Sequence, residues 1–131
     1  MIKRVPGSIV VAGWLVASAS SQAHHSLAAA YDLNEEGEVS GSFVAFHIVN
    51  PHSSMRINVE EGDGSVTEWI FTGGSVNTLR RLGLNRFGEN ELTPGDRITV
   101  TYTPTVNKTS PLGLLKHITY EDGRIVRFRV D

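Results

Sequence analysis

Cysteine is absent from all 131 residues, which excludes disulfides, thiolate-bound zinc and iron–sulfur clusters. Any metal must then be held by imidazole, carboxylate, amide or amine groups. A basic excess is also missing. Twelve Lys and Arg stand against 14 Asp and Glu, for a formal charge of −2. That balance lacks the positive field that recognition of a phosphate backbone needs, so no nucleic-acid partner is expected. The longest apolar run, Ser8 to Ala19, falls short of the roughly 20 residues a helix needs to span a bilayer. Ser-His-Asp, phosphate-loop and zinc-protease spacings do not occur. Glu60, Glu61 and Glu68 are the nearest thing to paired catalytic carboxylates, in a chain too short to imply a deep cleft. The expectation is a single small domain that is not an enzyme.

Lys3 and Arg4 precede that apolar run, and Ser21 and Ala23 supply small residues at positions −3 and −1 of a cleavage site. Residues 1–23 are therefore read as a cleaved signal peptide, with the mature chain starting at His24 in the periplasm or outside the cell and keeping no membrane span. Without Lys3 and Arg4 the net charge becomes −4. The charge is unevenly spread: Arg56 is the lone cation between His24 and Ser75, whereas the remainder is mildly basic.

Residues 24–37 form an N-terminal segment, and residues 38–131 show the periodicity of short strands. The stretch 39–49 carries apolar side chains on both faces, as in a long bent strand with Gly41 at the bend, and Asn50-Pro51 stops it. Met55, Ile57 and Val59 alternate with Arg56, Asn58 and Glu60, and the turn Glu61-Gly62-Asp63-Gly64 leads into Val66–Thr72, a hairpin. Ser75 reads as an N-cap, with Val76, Leu79 and Leu82 at helical spacing and Gly83 as the terminator. Arg97–Thr103 forms a further strand. After a loop from Pro104 to Gly113, a last hairpin runs through Leu114–Glu121 and Ile125–Val130 across Asp122-Gly123. Three strands, a helix and two or three more strands predict an all-β, OB-like barrel of five or six strands with one short helix between strands three and four. Ile57, Val59, Ile70, Ile98, Val100 and Ile118 are the expected core.

His24-His25-Ser26, Tyr31-Asp32, Asn50-Pro51-His52, Trp69, Leu79-Arg80-Arg81-Leu82-Gly83 and Pro94-Gly95-Asp96 stand in an order that resembles a family of small exported bacterial proteins of unknown function. Its members share a signal peptide, a mature His-His-Ser start, an Asn-Pro-His element and a late Pro-Gly-Asp turn. The resemblance spans nearly all of residues 24–130. It implies compartment and domain limits and does not decide the chemistry. This chain departs from it in having Phe46-His47-Ile48-Val49 where an aromatic such as Trp usually precedes Asn-Pro-His, which adds a histidine.

Cleavage after Ala23 would give His24 a free α-amine beside its own imidazole, and the two nitrogens can chelate one ion, as in a histidine brace. Amine and imidazole ligands favour copper(II) over zinc or nickel. His25, His52 and His47 are the further candidate ligands. His52 is the best placed, because Asn-Pro forces an extended approach at the barrel rim. His47 shares a site with it only if the Asn50-Pro51 bend re-aims the chain. His117 reads as a structural histidine. The competing picture treats residues 24–37 as a partly ordered tail. On that picture the protein is a metal-free envelope module binding a protein or small ligand on its strand-two and strand-three face, with Trp69 and Asn50 as contact candidates. Trp69 and Phe71 are otherwise core, and Asn50 is otherwise a turn-closing residue.

Overall fold

The computed structural model describes residues 29–129, so the signal-peptide reading, His24 and His25 fall outside the described residues. The elements are β1 (Gly37–His47), β2 (Ser54–Glu60), β3 (Val66–Thr72), α1 (Val76–Arg81), β4 (Arg97–Pro104), β5 (Leu112–Tyr120) and β6 (Ile125–Arg127). The sheet order is β3-β2-β1-β4-β5-β6, and a parallel β3–β5 pairing joins the third strand to the fifth. Five strands therefore close into a barrel, with β6 extending β5 as a hairpin. This is OB-type connectivity, with α1 between β3 and β4 as the alternation predicts.

β1 makes the closure possible because it serves two partners. Residues 42–47 pair with β2 and residues 37–42 with β4, with a bulge between Phe43 and Ala45. At the changeover a Cβ on Gly41 would stand 2.4 Å from the Asn58 carbonyl oxygen, so only glycine lets the two backbones pass. Ser75 caps α1, its hydroxyl accepting from the Thr78 N–H at 3.2 Å, and Gly83 turns away from the helix at φ 68°.

The barrel is filled by Phe43, Met55, Ile57, Val59, Phe71, Ile98, Val100, Leu115 and Ile118, and Leu79 of α1 with Leu84 and Leu92 belongs to the same buried cluster. Five of the six expected core residues are buried. Ile70 is the correction: it is half-buried, because β3 presents Trp69 and Phe71 inward in register with Ile57 and Met55, and strict alternation turns Ile70 outward beside Arg56. The first strand is also shorter at its C-terminal end than expected. It ends at His47, and Ile48 and Val49 are exposed because Ser53 folds back on Val49 and closes a loop. Tyr102 leans over Gly37 and Gly113, either of which would strike its ring if given a Cβ.

Half-buried Tyr120 donates its hydroxyl proton to the Asn90 carbonyl at 2.5 Å, and removal from water pushes the phenol up to about 12. The folded state holds this proton where the unfolded chain, at about 10, has lost it. Stability from this group is complete below about pH 10 and is lost as pH rises towards 12. In a phenolate absorbance titration, Tyr120→Phe should abolish the step near 12. A titration unchanged by that substitution would contradict the burial.

Candidate functional site

The loop carrying Asn50, Pro51 and His52 is tied to the start of α1. Ser53, fully buried, donates from its N–H to Gly74 O at 2.7 Å and accepts from the Gly73 N–H at 2.9 Å. Its hydroxyl accepts from the Val49 N–H and donates to the Val49 carbonyl. The Asn50 side-chain oxygen accepts from the Val76 N–H at 3.1 Å, satisfying one of the helix's orphan donors. Asn50 thus closes the turn and supports the helix. His52 is exposed immediately before the buried Ser53, at the strand ends, as the Asn-Pro spacing implies. His47 is exposed at the end of β1, its Cα opposite Ser54. The two histidines flank one loop, but among the described residues no three His, Asp or Glu side chains gather in a way that could hold a metal.

Trp69 belongs to the core wall. It stacks on Phe71 at 5.8 Å between ring centroids and meets Tyr102 edge-on at 5.3 Å. Its indole is half-buried and packed against the barrel interior. The outer face of β2 and β3 carries instead the Arg56–Glu68 ion pair at 3.3 Å, which engages the acid singled out with Glu60 and Glu61. His117 is half-buried on β5, opposite Thr101 and Arg127.

The described part of the N-terminal segment, from residue 29 onward, is strapped to the barrel. Tyr31 bridges Thr105, the Asp32 N–H donates to Pro104 O at 2.9 Å, and the Val106 N–H donates to Ala30 O at 3.0 Å. Lys108 holds Glu35 at 2.6 Å and Asp32 at 3.6 Å, and Lys116 holds Glu36. The Lys116 ammonium draws the Glu36 carboxyl below the ordinary range, and Glu35 raises Lys108. The acidic first half and basic second half of the sequence meet here. Nothing in the local sequence announces these pairs, since Glu36 and Lys116 lie 80 residues apart.

A five-stranded OB-type barrel with a capped helix and a strapped N-terminal segment is the class that fold and site define. The chain belongs to a family of unknown function, DUF6152, whose model matches residues 12–113. No curated protein matches it. No solved structure matches it either. Among the described residues no helix is long and apolar enough to cross a membrane.

Proposed function

We propose that this protein is exported, is not an enzyme, and binds copper(II) through the amine and imidazole of a processed His24, with His25 beside it. The observation that supports this reading is the strap at Ala30, Tyr31 and Asp32, which ties the chain to the barrel shortly after the histidine pair. The six residues that separate position 24 from Ala30 reach at most about 22 Å when extended. Along the register His47, Ser54, Thr72, Leu114 and Thr103 lie in one row of paired strands. Four strand spacings of about 4.8 Å make that arc about 19 Å. His52 or His47 supplies a remote nitrogen when the segment folds back across β3. The bound ion would be sequestered or delivered rather than used in catalysis.

The test compares protein starting at His24 with protein carrying one extra residue before it, each titrated with copper(II) under electron paramagnetic resonance. The extension turns the amine into an amide, and affinity should fall at least tenfold with the barrel intact. His52→Ala should cost less. Affinity of the native form should rise between about pH 5 and 8 as imidazole and amine, ordinarily near 6.5 and 7.7, lose their protons. Equal affinity of native and extended forms would remove the brace and leave the metal-free interaction module.

A further inference from the structure

Ten Lys and Arg side chains lie among the described residues, and Arg56, Lys108, Lys116 and Arg124 engage carboxylates. Of the six that engage none among the described residues, Arg81, Arg127 and Arg129 line one cleft of about 320 Å³ with Thr78 and Leu82. Two features of the fold bring them together. Gly83 ends α1 just beyond Arg81, leaving that side chain at the helix terminus. Val126 and Phe128 are buried, so alternation sends Arg127 and Arg129 to the opposite side, and the Phe128 N–H bonded to Lys116 O at 2.8 Å holds the backbone between them.

We propose that this cleft binds a phosphoryl group. Guanidinium forks arriving from two separate elements suit a tetrahedral dianion, which offers oxygens in several directions. A planar carboxylate is satisfied by one bidentate arginine. An adjoining cleft of about 530 Å³, reaching Asn90, His117 and Ile125, leaves room for the rest of a phosphorylated molecule. Glu89 is the single acid in that lining, and its charge acts on neighbouring Arg124, whose guanidinium donates to the Glu89 carbonyl at 3.3 Å. Leu82 and Phe128 give the cleft apolar walls, which strengthen charge-assisted hydrogen bonds. Complementing the helix dipole accounts for Arg80 and Arg81 in the last turn, but neither β6 nor the two residues after it have such a dipole to explain Arg127 and Arg129.

The experiment titrates the chain with inorganic phosphate and pyrophosphate at constant ionic strength, following the amide resonances of Leu82 and Phe128 by NMR. Saturable shifts are expected, absent with chloride, at least tenfold weaker in Arg127→Gln and in Arg81→Gln, and unchanged in Arg97→Gln, a control on another face. Shifts that chloride reproduces, or that Arg97→Gln weakens equally, would reduce the effect to net charge and overturn the proposal, as would no saturable shift. Vesicles of phosphatidylglycerol and of phosphatidylcholine distinguish the source of the group. Phosphate-competed binding to the anionic vesicles alone assigns a lipid headgroup, and phosphate binding without vesicle binding assigns a soluble phosphorylated ligand.

Discussion

Phe71→Ala should destabilise the barrel by about 3–5 kcal/mol, a large share of the roughly 5–15 kcal/mol that holds a domain folded. The ring is fully buried, stacks on Trp69 and tilts against Tyr102 at 5.3 Å between centroids. Its strand position matters as much as its size: Phe71 pairs with Met55 on one side and Gly113 on the other, at the seam where the parallel β3–β5 pairing closes the barrel. Removing the ring leaves a cavity that two rigid strand pairings prevent from collapsing. Urea unfolding followed by Trp69 fluorescence measures the loss. Phe87→Ala provides the contrast, since that ring is 84% exposed and its removal should change stability by no more than about 0.5 kcal/mol. Equal effects at the two positions would mean that β3 does not close the barrel as described.

Gly41→Val should abolish the folded state, and Gly41→Ala should cost at least the ~1–3 kcal/mol typical of overpacking. The obstacle is backbone rather than side chain: the new Cβ would meet the Asn58 carbonyl oxygen at 2.4 Å and its carbon at 3.1 Å. Neither can swing aside without loosening β2 from β1. Gly62 makes the comparison clean, because a Cβ there meets nothing within 4 Å and its backbone has no positive φ. Circular dichroism and thermal melting should show Gly62→Ala close to the parent and Gly41→Ala far below it. A mild Gly41→Ala would show that β1 can change partners without the close crossing.

Much of the fold was legible because the signals are local. Ser75 and Gly83 bracket α1, Gly64 and Gly123 take positive φ in the two hairpins, and the alternation around Ile57 and Val100 marks buried faces. Ile70 was misplaced because a strand rich in apolar residues has two possible inner faces, and only its register with β2 chooses between them. Asn50 shows the same limit at the candidate site. Its turn-closing chemistry is readable beside proline, but its partner, the Val76 N–H, lies 26 residues away.

Sequence alone determined the order of strands and helix, the exclusion of thiolate chemistry, and the placing of the small residues Ser21 and Ala23 just before His24 and His25, since each depends on neighbouring residues or on composition. Tertiary structure decided which strands close the barrel, that the Asp32–Glu36 stretch is strapped by Lys108 and Lys116, and that Arg81 shares a cleft with Arg127 and Arg129. Those outcomes depend on through-space pairing between residues tens of positions apart. Local spacing carries no information about such pairs until the register of every strand is set.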